Sequence, residues 1–151
     1  MSQRILAIDP GPKQSGFVVW DGSVVHADTV PNETLRVLLR ENLFGGHDRV
    51  VIEMIASYGM AVGREVFETC LWIGRFIERA RPIHAELVYR KDVKLHLCGT
   101  NKAKDANVRQ ALIDKHGAPG TKKAKGKTYG ISGHLWAAVA VADYAAEHPE
   151  A

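Results

Sequence analysis

Two carboxylates end two short apolar runs in this chain of 151 residues. Asp9 follows the run at residues 5–8 and precedes a Pro-Gly turn, and Glu53 follows the run at residues 50–52. If these runs form neighbouring strands, the two carboxylates converge, and burying like charges together is strongly unfavourable without a cation. Hard divalent ions with oxygen ligands, Mg²⁺ or Mn²⁺, suit such a pair. The alternatives are that Asp9 only organises its turn and that Glu53 is an ordinary strand-end acid.

A histidine stands at the start of the last apolar segment, which predicts a helix from about Ser132 or Gly133 to Ala146. A lone histidine at a helix start is more often a cap or a surface residue than a metal ligand. His134, however, occurs in a chain with two paired acids and a basic segment. This combination favours His134 as a third ligand.

Positive charge is concentrated in one part of the chain. The net charge is only +3, but residues 90–127 contain eleven Lys or Arg against three acids. A basic segment on a near-neutral protein indicates a localised anionic partner, with nucleic acid as the first candidate. A solvated, lysine-rich surface is the alternative.

Several side chains could contact nucleic acid. Tyr58, in a loop after the second acidic strand, can stack on a base or pack on its own loop. Lys102 and Lys104 flank the N-terminus of a predicted helix, an end that attracts phosphate. A mobile, exposed loop is predicted from Gly117 to Gly130, and its lysines either track phosphates or only solvate a linker. These lysines are Lys122, Lys123, Lys125 and Lys127.

The elements that position these groups follow from the spacing of apolar residues. Three antiparallel strands are predicted at the N-terminus, with the first buried on both faces. A fourth strand is predicted over residues 49–53 and a fifth over residues 85–89, parallel to the fourth because a helical crossover joins them. A helix capped by Asn32 is expected before Gly45. Further helices are predicted over residues 62–79, over 90–97, up to about 116, and at the C-terminus.

Length and composition indicate a single domain over residues 1–151, with enough apolar residues (46%) for a substantial core. Apolar runs stay well short of about 18 residues, which predicts that the chain does not span a membrane. Asp9 and Pro10 interrupt the first apolar run, so a signal peptide is not expected. Cys70 and Cys98 form neither a disulfide framework nor a metal motif, as in a cytoplasmic protein.

The order of these elements resembles the RNase H-like fold, and within it the RuvC-type Holliday junction resolvases, particularly their short phage-type members. The likeness covers nearly the whole chain. Its motifs are Ile8-Asp9-Pro10-Gly11 with Ser15-Gly16, then Val51-Ile52-Glu53, then Val93-Lys94 with Gly99, Ala103 and Val108, and last the segment from His134 to Ala142. The resemblance implies an α/β fold with a mixed five-stranded sheet, in which parallel strands join three antiparallel N-terminal strands, and helices on both faces.

The resemblance also implies metal-dependent cleavage of branched DNA. Asp9 and Glu53 match the first two metal-binding carboxylates of the family, and His134 matches its third ligand position. The implied reaction is phosphodiester hydrolysis with two Mg²⁺ or Mn²⁺ ions, in which Asp9 bridges the ions while Glu53 and His134 each hold one. Lys94 resembles the family's basic residue near the scissile phosphate. Arg90 is placed with it among the DNA-binding residues.

Resolvases of this type act as two-fold dimers with one site per strand. The expected partners are therefore branched DNA, as four-way junctions, flaps or forks, and a second copy of the chain. The predicted helix over residues 62–79 is the candidate interface. The expected location is the cytoplasm of a bacterial or phage-infected cell.

One position departs from the family pattern. The fourth acid of the family falls at Ala137, which cannot bind metal. Asp143 cannot replace it, because nine helical residues correspond to about 900° of rotation and point Asp143 away from His134. Asp105 falls near a position at which the family has a basic residue.

Three hypotheses therefore stand. The first is a structure-selective endodeoxyribonuclease, and the second is a branched-DNA-binding protein with weak or no nuclease activity. The third is an RNase H-like ATPase or sugar kinase, for which this chain is too short to supply the duplicated domains.

Overall fold

The structure, a computed structural model, describes residues 3–42 and 44–149. The strands are β1 (Ile5–Asp9), β2 (Gln14–Trp20), β3 (Val24–Pro31), β4 (Arg49–Met54) and β5 (Glu86–Tyr89). The helices are α1 (Asn32–Arg40), α2 (Arg64–Ala80), α3 (Arg90–Cys98), α4 (Asp105–His116) and α5 (Leu135–Glu147). The predicted elements are all present, with bounds that differ from the predicted ones by a few residues.

The strands form one mixed sheet in the order β3-β2-β1-β4-β5. The pairs β1–β2 and β2–β3 are antiparallel, whereas β1–β4 and β4–β5 are parallel. β1 is therefore the central strand, with a neighbour on each side. The predicted sheet, including its parallel fifth strand, is confirmed.

Helices cover both faces of this sheet. Ile5 and Ala7 of β1 pack in the layer that includes α3, α4 and α5, whereas Leu6 and Ile8 pack in the layer that includes α1 and α2. Successive residues of a strand point to opposite faces. The next residue, Asp9, therefore points towards the layer of α3, α4 and α5.

The segment between α4 and α5 is largely exposed but is attached to the rest of the domain. The Gly126 N–H donates to the carbonyl oxygen of Pro119 at 2.8 Å, and the Val24 N–H donates to that of Lys127 at 2.7 Å. Thr128 is fully buried. The predicted loop is present, and these contacts fasten its second half to the start of β3.

Two further expectations concern the chain as a whole. Within residues 3–42 and 44–149, no helix is long and apolar enough to cross a membrane. Cys70 and Cys98 are both free thiols.

Candidate active site

The register of the two central parallel strands brings Asp9 and Glu53 to one edge of the sheet. Ile8 pairs with Ile52 across the β1–β4 ladder, so the residues that follow them stand side by side. The residues two positions earlier on each strand pack in the layer of α3, α4 and α5. Because side chains alternate along a strand, Asp9 and Glu53 both point into that layer.

Burial makes both carboxyl groups weaker acids than they are in water. It raises the pKa of Asp9 to about 6 and that of Glu53 to about 7. Arg90 partly opposes both shifts, while the charge of Asp9 adds to the rise at Glu53. Desolvation disfavours the ionised form of a carboxylate, and a nearby cation restores it. The pair is therefore a place where a bound positive charge is strongly favoured.

Arg90, the first residue of α3, already places a cation among the acids. Its Nε lies 3.5 Å from Glu53 Oε1, and its Nη1 lies 3.8 Å from Asp105 Oδ1. Burial acts to lower the pKa of Arg90, but Glu53 and its neighbouring acids outweigh that effect and raise it. Sequence reasoning assigned Arg90 to DNA alone, although the predicted fifth strand ends at Tyr89, parallel to β4, and so carries Arg90 to the same sheet edge as Glu53.

His134 lines an open cavity of about 340 Å³ at the same edge. The lining residues are Arg90, Asp105, Ala106, Arg109, Gly133, His134, Trp136 and Ala137. His134 directly precedes α5, and its side chain makes no capping hydrogen bond to that helix. Its charge lowers the pKa of Asp9, so the two side chains lie within electrostatic reach. His134 thus occupies the N-cap position without capping through its side chain, and it is exposed, so the surface-residue alternative stands beside the ligand role, which stays a prediction.

A second cavity, of about 360 Å³, shares Arg90 with the first. It is lined by Tyr58, Arg90, Lys91, Lys94 and Asn101. Lys94 lowers the pKa of Glu53, which places its charge near that carboxylate. Tyr58 is 57% exposed, so most of its ring is free to meet a ligand. An exposed aromatic ring and three basic side chains therefore border the acidic edge.

The N-terminus of α4 differs from the predicted phosphate site. Lys104 directly precedes the helix and Lys102 is exposed nearby, as expected. The first helical residue is Asp105, however, and its carboxylate lies on the cavity that contains His134. A carboxylate at this helix end offsets the positive end of the helix dipole and repels phosphate.

The lysine loop, which contains Lys122, Lys123, Lys125 and Lys127, is held at Lys127 to the end of the sheet opposite Asp9. The carbonyl of Lys127 is bonded to Val24, and Val24 pairs with Trp20 at the end of β2. Trp20 in turn pairs with Ile5, at the opposite end of β1 from Asp9. Lys122, Lys123 and Lys125 belong to the same loop, in which Thr121 and Ala124 exchange backbone hydrogen bonds.

The turn after Asp9 is held by residues that sequence reasoning did not assign to the site. The Ser15 hydroxyl donates to Asn32 Oδ1 at 2.6 Å, and Asn32 Nδ2 donates to the carbonyl oxygen of Gly11 at 2.8 Å. The Gly11 N–H donates to Ser15 Oγ at 3.2 Å. The predicted helix cap at Asn32 is therefore wrong: Pro31 occupies the cap position, and the buried Asn32 amide binds the turn.

The donor chemistry fits a divalent ion, although the side chains do not form a closed cluster. Paired carboxylates are hard oxygen ligands, and the Arg90 guanidinium shows that Glu53 and Asp105 already share a cation. Across the described parts of the chain, no three His, Cys, Asp or Glu side chains are grouped closely enough to hold an ion. Asp9 and Glu53 are thus the assembled half of the site, and further ligands require side-chain movement.

Comparison with known proteins identifies the architecture. Scans of protein-family models and of curated proteins give no match. The solved structure of Thermus thermophilus RuvC, however, matches with a TM-score of 0.72 and 19% sequence identity, over 97% of this chain and 96% of that chain. The chain has the RuvC fold. T. thermophilus RuvC in complex with a Holliday junction substrate also matches, with a TM-score of 0.67, 17% identity and the same coverage.

The RuvC fold extends over nearly the whole of both chains, so no helix or strand within residues 3–42 and 44–149 forms a separate unit outside it. It confirms the fold class predicted from the sequence. At this level of identity the likeness concerns architecture, and the activity has to be argued from the residues of this chain.

Proposed function

We propose that this protein is a divalent-metal-dependent endonuclease that cleaves Holliday junctions and other branched DNA by phosphodiester hydrolysis. The observation that carries the proposal is the pair of carboxylates, Asp9 and Glu53, at the ends of adjacent parallel strands. The RuvC fold supports it, since the RuvC of T. thermophilus is known in complex with a Holliday junction substrate.

Asp9, Glu53 and His134 hold Mg²⁺ or Mn²⁺ in this proposal. When bound, the ions supply an activated nucleophile and offset the charge on the leaving 3′-oxygen. The chain itself fixes the two carboxylates on rigid strands and removes them from bulk water. The hydrogen-bonded turn at Gly11, Ser15 and Asn32 supports the position of Asp9.

Basic residues at the edge bind and neutralise the phosphate. Lys94 and Arg90 stand beside the carboxylates and are positioned to offset negative charge that develops on a phosphate there. Tyr58 offers an exposed ring for stacking on an unpaired base. We assign Lys102 and Lys104 to backbone contacts close to the site.

The lysine loop contacts a different part of the substrate. Because Lys127 lies at the far end of the sheet from Asp9, we propose that the loop binds a duplex arm of the junction away from the cleaved bond. A four-way junction extends arms in several directions, so a second basic surface suits it.

A homodimer completes the proposal, because a two-fold junction suits a two-fold protein. The candidate interface is α2, on which Phe67 and Leu71 are 63% and 56% exposed. They are four residues apart and therefore lie on one face of the helix. A Cβ at Gly74, three residues further along, would meet no atom within 4 Å, which leaves room for a partner helix.

A cleavage assay tests the proposed activity. The purified protein is incubated with end-labelled four-way junction, flap, fork and linear duplex, with Mg²⁺ and Mn²⁺ in parallel and a chelator as control. We expect nicks in branched DNA only when an ion is present. If every branched substrate stays intact with both ions, the protein is not a nuclease of this class.

Ala137 favours a second candidate function, a junction-binding protein with little or no nuclease activity. This residue lines the site cavity at the position where the family has its fourth acid, and it offers no ligand atom. A gel shift of four-way junctions without cleavage selects this function.

A further inference from the structure

The cavity that contains His134 is lined by residues of both α4 and α5. Ala137, which lacks a ligand atom, lies on the wall of α5, and Asp105 lies on the same cavity at the start of α4. The sequence places them 32 positions apart, so sequence reasoning did not connect them. The fold brings a carboxylate to the cavity in which one is missing.

Arg90, which also lines this cavity, links Asp105 to the acids of the two strands. One Arg90 guanidinium lies 3.5 Å from Glu53 and 3.8 Å from Asp105, so the two carboxylates approach the same cation from two sides. Asp105 also acts electrostatically on Asp9. Its side chain is 84% exposed, which leaves it free to change rotamer towards an incoming ion.

We propose that Asp105 is a metal-binding carboxylate that replaces the acid absent at Ala137. The inference rests on the proposed function, because it assigns a further ligand to the same site. The competing explanation is that Asp105 only complements the dipole of α4 and holds Arg90. That explanation predicts an effect on Arg90 or on helix stability, and no specific link to position 137.

The test measures Mn²⁺ binding in the absence of DNA, by titration calorimetry or by the spin resonance of free Mn²⁺. The variants are Asp105→Asn, the matched control Asp114→Asn, and Asp105→Asn combined with Ala137→Asp. Asp114 lies on the same helix, is exposed, accepts a hydrogen bond from Gln110 at 2.9 Å, and does not line the cavity. Thermal unfolding without metal shows whether each variant folds.

We expect Asp105→Asn to weaken Mn²⁺ binding by about tenfold or more, since even outer-shell partners of a metal site are worth about 10–100-fold in affinity. Asp114→Asn should bind like the wild type, and Ala137→Asp should restore most of the affinity lost in Asp105→Asn. Equal binding by Asp105→Asn and Asp114→Asn overturns the proposal. Loss of affinity that Ala137→Asp does not restore also overturns it, because Asp105 then acts through Arg90.

The outcome is separable from that of the proposed function. A wild type that cleaves junctions, together with an Asp105→Asn variant that binds Mn²⁺ normally, overturns only the role of Asp105. A wild type that leaves every branched DNA intact but loses Mn²⁺ affinity on Asp105→Asn overturns the nuclease and leaves Asp105 as a ligand.

Discussion

Asp9 and Glu53 illustrate how a functional site conflicts with stability at the level of single residues. Two carboxyl groups are held side by side at the edge of a buried layer, and burial raises the pKa of each. The unfolded chain ionises both groups freely. Ionisation of the two acids without a bound cation therefore lowers the free energy of unfolding, and this loss of stability is measurable.

We predict that the metal-free protein loses stability as the pH rises from about 4 to above 7. Over that interval the unfolded chain has released protons that the folded Asp9, with a pKa of about 6, and Glu53, with a pKa of about 7, still bind, so the free energy of unfolding falls. Arg90, His134 and Asp105 are the other charged groups facing Asp9. Denaturant unfolding at several pH values, with chelator present, measures the slope.

Asp9→Asn is the variant for this test. It removes one ionisable group and one repulsion, so the fall with pH should be shallower. Without metal at pH 7.5, the variant should be more stable than the wild type by roughly 1–3 kcal/mol, because one pKa unit corresponds to about 1.4 kcal/mol. Identical slopes for both proteins contradict the account.

Gly11 is the second residue with a predictable effect. A Cβ at this position would run into the backbone carbonyl oxygen of Gln14, which cannot move without opening the turn. We expect Gly11→Ala to destabilise the fold by about 1–3 kcal/mol, the usual cost of overpacking, and to slow cleavage by displacing Asp9. Gly74→Ala is the matched control, since it is exposed inside α2, a Cβ there meets no atom within 4 Å, and alanine is favourable in a helix. Equal melting temperatures for the two variants would show that the turn is looser than described.

Strands β1 and β4 are the elements that the sequence predicts best. Each is a short apolar run that ends in an acid, and the alternation of strand side chains then determines which face the acid takes. Their common register follows once they are parallel neighbours. This half of the site is therefore accessible from sequence.

The other half depends on where elements of different type meet, which periodicity does not encode. Arg90 follows β5 at the edge of the sheet beside Glu53, whereas Asp105 begins α4, and only the packing of α4 against α3 brings it to Arg90. Asn32 was predicted to cap α1 because asparagine often does so. In the fold, the buried polar groups of Ser15 and Gly11 require partners, and Asn32 supplies them.

Arg49 joins three elements at the end of the sheet opposite the site. Its guanidinium binds both carboxylate oxygens of Glu86 at 2.9 and 2.6 Å and donates to the carbonyl oxygens of Ala145 and His148. We predict that Arg49→Met destabilises the protein by about 3 kcal/mol, because it leaves a poorly solvated carboxylate and two carbonyls without this donor. Chemical denaturation measures the loss.

The double variant Arg49→Met with Glu86→Leu separates the cost of the unpaired Glu86 carboxylate from the cost of the lost packing. It removes both charges of the pair, so it should recover part of the stability that Arg49→Met loses. If Arg49→Met unfolds at the same denaturant concentration as the wild type, the contacts of Arg49 with β5 and with the end of α5 do not stabilise the protein.

At the scale of the whole molecule, the exposed face of α2 tests the proposed dimer. We predict that Phe67→Glu converts a dimeric wild type into a monomer, because a charge would replace the most exposed apolar side chain of that face. Sedimentation velocity over a range of concentrations gives the oligomeric state. Val37→Glu, at an apolar residue of α1 that is 47% exposed, should leave the dimer intact. A wild type that is monomeric throughout would remove α2 as an interface.

The paired acids of this RuvC-fold chain are proposed to perform metal-dependent cleavage of branched DNA. The most direct measurement compares wild type and Asp9→Asn on one labelled four-way junction, recording binding by gel shift and cleavage with Mn²⁺. We expect Asp9→Asn to bind the junction and to cleave it more than about 100-fold more slowly, beyond the usual effect of losing an outer-shell partner. Cleavage by Asp9→Asn at the wild-type rate would contradict the account.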